Sequence, residues 1–460
     1  MPTRYQVQEG DNISVEPLGQ PLTFHFSQRT AKNRFLKAAM AEGLATWSPT
    51  ELEERGIPTP ELVELYRRWG EDAQGWGVIL TGNVAIDFEH MSGAGMTVIT
   101  PESPFSGRRF EAFQAMAAAG KANGSLMVAQ VVHPGRQAPE TLTKEPFSAS
   151  AVPLAPKMGH TFAMPHAASL AEIQRVITGY GHAAEYLERA GFDGIELHGA
   201  HGYLIAQFLA RRTNQRTDAY GGSLENRMRL LLEIAQEVRR RTSPAFIVGA
   251  KINSVEFQDG GITPDEARDM CALLRAEDVA LDFVELSGGT YEKIGQSWAD
   301  DVKESTRRRE AFFFEFAQTV VPAFGVEPAD RTTKVYLTGG LRTAPAMVRA
   351  LDVVDGVGLG KPAAAEPGLA AALLDGSLSG AIRPVDQIAH DDGLSLIAAC
   401  VQFRQITQGY EPFDLSDPTA TATFLSDIGA LFQRRAKDTD QKESGVCNFS
   451  GPQTKHISAA

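Results

Sequence analysis

The chain has 460 residues and a mass of 49.7 kDa, enough for one large α/β domain or for two or three small ones. Hydrophobic residues make up 43% and charged residues 22%, the ordinary range for folded proteins, which argues against a wholly disordered chain. A formal charge of −13 disfavours general nucleic-acid binding, and no apolar run approaches the ~18 residues of a spanning helix, so no membrane association is expected.

Residues 1–29 read as an N-terminal segment in which ISVEPLGQPLTFHF (13–26) has the pattern of a short hairpin that can plug a barrel floor. Strand-like runs then alternate with helical patterns. RFLKAAM (34–40) precedes a helix opened by Thr59-Pro60, with proline at the first helical position. GVILTG (77–82) precedes an alanine-rich helix over 110–122, and SLMVAQVV (125–132) precedes a long amphipathic stretch that starts at the capping box Ser169-Leu170-Ala171-Glu172. GIELHG (194–199) leads to a helix opened by Ser223, and AFIVGAKI (245–252) to one opened by Thr263-Pro264-Asp265-Glu266. DFVELS (282–287), KVYLTG (334–339) and GVGLG (356–360) are followed by helices over 310–324, 345–351 and 366–374. The runs are continuously apolar, as strands buried on both faces should be. Eight such units predict a single (β/α)8 TIM barrel over 30–380. An open doubly wound sheet is the alternative, but no Gly-rich dinucleotide turn follows the first strand. Residues 381–436 read as a helical extension packed outside the barrel, and the polar stretch 437–460 as a disordered tail.

Cys271, Cys400 and Cys447 are far apart and odd in number, so neither a disulfide framework nor a cysteine-ligated metal cluster is expected. The start MPTRYQVQEG lacks a signal-peptide pattern and the end HISAA is no recognisable address, so the expected location is cytoplasmic.

Barrel sites form at the C-terminal ends of the strands. There the sequence places Gln130 with His133, then His198, His201 and Tyr203, then Lys251 with Asn253, then Ser287-Gly288-Gly289, Thr338-Gly339-Gly340 and Gly360-Lys361. Glycines in the last two loops let backbone N–H groups approach a phosphate, although tight turns alone also explain them. Two neutral imidazoles can donate to one carbonyl oxygen. They can also ligate zinc, with Glu196 as a third ligand left open, but no HExxH or cysteine pair supports this, and no metal is expected. Tyr203 is either a proton donor or an aromatic wall. Lys251 on an apolar strand needs a partner: an anion, an electron-rich ring or a Schiff-base substrate, the last implying an aldolase-like lyase. The stretch 214–227 reads as a shaped and capped loop, and Arg307, Arg308, Arg309 and Glu310 as a solvated basic patch.

The chain resembles the old yellow enzyme family of FMN-dependent oxidoreductases over about residues 30–375. GFDGIELHGAHGYLIAQFLARRTNQRTDAYGGSLENR (191–227) carries most of the likeness, with support from KNRFLKAAM (32–40), GVILTGNVAID (77–87), QVVHPGRQ (130–137), VGAKIN (248–253), REAFFFEFA (309–317), YLTGGLRT (336–343) and GLGKP (358–362) in family order. The resemblance implies bound FMN reduced by NADPH or NADH. Gln130 would bond the pyrimidine side of the flavin, and Lys251 would sit near N1 and O2. Ala39, Met40, Ala41 and Asn83 would line the ring, and Gly340, Gly360 and Lys361 would hold the phosphate. His198 and His201 would hold the carbonyl of an α,β-unsaturated substrate, N5 would deliver hydride to Cβ, and Tyr203 would protonate Cα. Two positions depart from the pattern: Ala41 stands where many relatives have threonine or cysteine, and Lys361 replaces the usual arginine. Neither the cysteine-ligated iron–sulfur module nor the C-terminal nucleotide domain of longer relatives is expected. A flavin-binding protein with a lapsed site is the third reading. Oligomeric state and the physiological substrate are not legible.

Overall fold

The computed structural model describes residues 1–7, 13–157, 159–253, 260–275, 279–288, 292, 314, 316–325, 327, 330–438 and 442–457. The basic patch over 307–310 and Gly289 lie outside them, as do residues 310–313 and 315 of the helix expected over 310–324; its later part is helical over 316–320 and ends in the 3-10 turn Val321–Phe324.

All eight expected strands form: β1 (Phe35–Lys37), β2 (Val78–Ala85), β3 (Leu126–Val132), β4 (Gly194–Gly199), β5 (Ile247–Asn253), β6 (Phe283–Ser287), β7 (Lys334–Thr338) and β8 (Gly356–Leu359). Each pairs in parallel with its neighbours, and β8 pairs with β1 and β1 with β2, so the sheet closes into a barrel. Between the strands lie α1 (Pro60–Gly70), α2 (Gly107–Lys121), α3 (Leu170–Arg189), α4 (Leu224–Arg241), α5 (Pro264–Leu274), α6 (Ala344–Ala350) and α7 (Leu369–Leu374). The start signals act as read. Thr59, Ser223 and Thr263 each accept the N–H three residues on, and Ser169 and Glu172 make both bonds of the capping box.

One sequence device recurs at the barrel's lower rim. Asp193, Asp282 and Asp355 stand just before β4, β6 and β8, and each accepts an N–H from the preceding strand, at Met127, Val248 and Val335. Each also has a cation beside it: Lys121, Arg239 and Arg331. The pattern pins strand register at the end opposite the site, where sequence features serve stability.

Alternation sorts the barrel interior into tiers. Leu36, Val78, Leu80, Leu126, Val128, Ile247, Phe283 and Tyr336 form an apolar floor closed from below by Leu22 and Phe24. The plug was expected over 13–26. It is instead a one-turn helix, Glu16–Gly19, led by Pro17, followed by a hairpin pairing Leu22–Thr23 with Thr30–Ala31. The tip is tied to β6 through Ser27 N–H donating to Asp282.

Two C-terminal helices, α8 (Asp392–Thr407) and α9 (Pro418–Arg435), pack outside the barrel, with the Phe403 ring edge-on to Trp69 of α1 at 5.3 Å. The expectation of a disordered tail fails for residues 442–457. Phe449 is buried and stacks on Phe413 at 4.7 Å and 10°. Glu411 N–H donates to Thr454 O, and His456 bonds both Glu71 and Glu411. The stretch is polar on average, but Val446 and Phe449 give it enough apolar surface to dock. No helix among the described residues is long and apolar enough to cross a membrane.

Candidate active site

Above the apolar floor the inward positions turn polar. Gln130 of β3, Glu196 and His198 of β4, Lys251 and Asn253 of β5, and Glu285 and Ser287 of β6 are all buried. Register places Lys251 between His198 on one side and Glu285 on the other, and pairs Gln130 with both Asn83 and Glu196.

The chain leaves β4 by a sharp turn in which His201 has φ +57° and Gly202 φ +76°. A left-handed histidine is strained, and such strain gathers at functional sites. The turn folds three rings together: His198 lies 5.2 Å from His201 and 4.7 Å from Tyr203, both nearly perpendicular. His201 N–H donates to Asn253 Oδ1, and its Nε2 lies 3.1 Å from Ser287 Oγ. His198 Nδ1 accepts from Ala200 N–H at 3.4 Å, which leaves its proton on Nε2. Burial, reinforced by Lys251, lowers both imidazoles, His198 well below its usual value and His201 to about 3. Both are therefore neutral donors at physiological pH.

Tyr203 packs against the buried cluster of Ala85, Met91, Met96, Val98 and Val132, on which Trp47, Phe88 and Leu142 also pack. Its hydroxyl accepts from Asn83 Nδ2 at 3.3 Å. Burial raises its pKa, opposed by hydrogen bonds from Ser92 and Asn83, so the phenol keeps its proton at neutral pH. Sequence reasoning placed Asn83 beside the ring of a cofactor. It also touches the phenol, a contact that rests on a register shift in β2 between Leu80 and Asn83.

Lys251 Nζ lies 2.7 Å from Glu285 Oε1, and Gln130 Nε2 donates to Glu196 Oε2. Glu196 is thereby held in the layer below His198, away from the role of third zinc ligand. Glu285 went unread in the sequence. Its signal was an acid at an inward position of an apolar strand, which demands a cation nearby.

At the far side of the mouth Gly339 and Gly340 take φ +131° and +73°, and Gly360 caps a short helix. A Cβ on Gly360 would meet Met40 Sδ at 3.4 Å, so bare backbone faces Met40 and Ala38 there. Cys400 Sγ donates to Ala41 O, which ties α8 to the loop after β1. Ala39 packs on the edge of the floor. Lys361 is turned elsewhere than expected: its ammonium meets Asp392 Oδ1 at 2.8 Å and Ser395 Oγ at 2.6 Å on α8.

These groups fit FMN. The amide and cation of Gln130 and Lys251 match a pyrimidine edge, and backbone N–H groups at two glycine turns match a phosphate. Asp87, His90 and His133 also gather three side chains of ligand type. However, Gly135 N–H donates to His133 Nδ1 at 3.1 Å, so neutral His133 carries its proton on Nε2 and offers a metal no lone pair.

A sequence model of the NADH:flavin oxidoreductase / NADH oxidase family matches residues 17–333. The NADH-dependent flavin oxidoreductase nadA of Aspergillus parasiticus is 49% identical over 94% of this chain and 95% of its own length. The NADH-dependent flavin oxidoreductase iliE of Hypocrea jecorina is 32% identical over 74% of this chain and 84% of its own. The old yellow enzyme homologue of Zymomonas mobilis superposes with a TM-score of 0.63 at 24% identity, covering 82% of this chain and 98% of that one. Morphinone reductase gives 0.61 at 22%, covering 80% and 92%. The chain belongs to the NADH:flavin oxidoreductase / NADH oxidase family of FMN-dependent oxidoreductases and shares the fold of the old yellow enzyme homologue.

Proposed function

We propose that this enzyme uses NADH or NADPH to reduce the C=C bond of α,β-unsaturated carbonyl compounds. The observation that carries the reading is the perpendicular cluster of His198, His201 and Tyr203, in which two neutral imidazoles stand beside a protonated phenol at one strand end. Bound FMN, held by Gln130 and Lys251, would supply the hydride-transfer chemistry between nicotinamide and substrate. His198 and His201 donate to the substrate carbonyl oxygen and stabilise the charge that gathers there. Tyr203 gives its proton to Cα, and Asn83, donating to the phenolic oxygen, steadies the phenolate that remains. Gln130 and Lys251 orient the cofactor, and the surrounding apolar side chains keep water from the phenol. The roles of Ala39, Met40 and Ala41 as ring contacts, and of Gly340 and Gly360 at the phosphate, belong to the same proposal.

The lyase reading loses support because Lys251 is ion-paired to buried Glu285, whereas Schiff-base formation needs a free amine. The test is a visible spectrum of the purified protein followed by anaerobic NADH and then cyclohexenone. A yellow protein that bleaches and is reoxidised by the enone is expected. Bleaching without reoxidation would leave the lapsed-site reading standing.

A further inference from the structure

The acid pair at the barrel axis has a feature that Lys251 alone does not explain. Glu285 Oε1 meets Lys251 and Glu196 Oε2 meets Gln130, but the remaining oxygens, Glu196 Oε1 and Glu285 Oε2, are sealed from solvent and have no hydrogen-bond partner among the described residues. The two carboxyls are near enough for the charge of Glu285 to act on Glu196. Two carboxylates cannot satisfy one another, because neither has a proton to donate. One proton between them satisfies both oxygens and removes one of two like charges from a dry site.

We propose that Glu196 and Glu285 hold a single proton between them, and that Glu285 is the positioning residue for Lys251. On this assignment the acid pair and the lysine sum to zero charge, and Glu285 sets how much of the Lys251 field reaches bound FMN. The inference rests on the reading that places the flavin beside Lys251. Burial, and next the charge of Glu285, raise Glu196 well above the usual carboxyl range, so the proton resides there. Burial also opposes the ionisation of Glu285, but Lys251 at 2.7 Å holds it below its ordinary value. The other ionisable groups facing the pair are His198 and His201 above, both neutral, and Lys37 with Glu42 outside β1. Lys37 donates to Leu80 O and packs on the Trp69 ring. Burial lowers it only to about 8, so it keeps one charge state between pH 6 and 7.

The test is the FMN midpoint potential of the holoenzyme at pH 6.5. Glu285→Gln frees the lysine field to favour reduced FMN, whose pyrimidine edge is the more negative. The reduced-to-oxidised ratio at a fixed potential should rise at least about tenfold, which is about 30 mV for a two-electron couple. Glu285→Asp retains the charge and should stay near the native value. Glu196→Gln replaces a neutral acid with a neutral amide and should also stay near it. A rise in Glu196→Gln equal to that in Glu285→Gln would show both acids ionised and overturn the shared proton. An unmoved potential in Glu285→Gln would overturn the positioning role, since a merely structural role changes stability and not the potential. The infrared C=O band of a protonated carboxyl, present in the native protein and lost in Glu196→Gln, checks the proton with or without FMN. If the protein binds no flavin while that band is present, the flavin reading fails and the shared proton stands. Should Glu285→Gln not fold, absence of the band in the native protein still refutes the pair.

Discussion

Tyr203→Phe removes one oxygen from a half-buried cluster, and the geometry says what should follow. The phenyl ring keeps its contacts with Met91, Met96 and Val132 and its packing on His198, so the pocket should keep its shape. Asn83 Nδ2 loses its acceptor, and a buried amide left unpaired costs about 1–3 kcal/mol of stability. The chemical loss is larger. A positioned general acid contributes about 10²–10⁴-fold, or about 3–5 kcal/mol of barrier. Reduction by nicotinamide needs no proton from Tyr203, so that half-reaction is an internal control for folding and flavin binding. Anaerobic stopped-flow at the flavin absorbance should show reduction within about threefold of native and reoxidation by enone slowed by about two orders of magnitude or more. The pH profile adds a second check. Burial raises the Tyr203 phenol above its ordinary value, so reoxidation in the native enzyme should stay level through neutral pH into the alkaline range. If reoxidation in Tyr203→Phe matches native, the phenol is only a wall and the protonation step is wrongly assigned.

Other outcomes follow from the same geometry. His198→Ala should weaken phenol binding by about tenfold or more, and native affinity should be level from pH 5 to 8 because His201 protonates only near 3; absorbance titrations check both. Neutral buried imidazoles bind fewer protons than in the unfolded chain, so acid should destabilise the fold as pH drops below about 6.5, less so in a His198→Asn, His201→Asn double variant; melting temperature against pH measures this. Phe449→Ala removes a stacked ring at a site where truncation costs about 3–5 kcal/mol if the whole fold feels it. Because Phe449 lies in a terminal segment, the expected result is local release: hydrogen exchange should quicken over 442–457 with little change in the barrel. Lys361→Ala breaks a half-exposed pair with Asp392, worth at most about 1 kcal/mol; FMN affinity should change less than about threefold, and a loss of a hundredfold would return the ammonium to the phosphate.

The barrel was legible because its strands are buried on both faces and so read as unbroken apolar runs, while capping residues marked the helix starts. The site was legible in part for the same reason. An ionisable residue inside an apolar run has few permitted roles, and His198 and Lys251 stood out for that. Glu285 obeyed the same rule and was passed over, because DFVELS was read for its strand character and its acid was not asked for a partner. The Asn83–Tyr203 contact was not readable at all. It spans 120 positions and depends on a shift of register within β2, which no local pattern announces. The tail was misjudged by composition: in a mostly polar stretch one ring suffices to dock when a groove lined by Phe413 and Phe424 awaits it.

The two halves of the site place opposite demands on one set of strands. Hydrogen-bond donation to a carbonyl requires imidazoles that stay neutral, and a cation in the adjoining strand helps keep them so, since Lys251 contributes to lowering both. The same cation in a dry barrel requires a counter-charge, and Glu285 provides it at 2.7 Å. A second acid beside Glu285 would then overfill the tier with negative charge unless it stays protonated, as the burial of Glu196 favours. Histidine neutrality, lysine pairing and carboxyl protonation are therefore one electrostatic arrangement read from top to bottom. A substitution in its lowest layer should be felt in the imidazoles above, so that Glu285→Gln, by strengthening the Lys251 field, should hold His201 neutral to still lower pH.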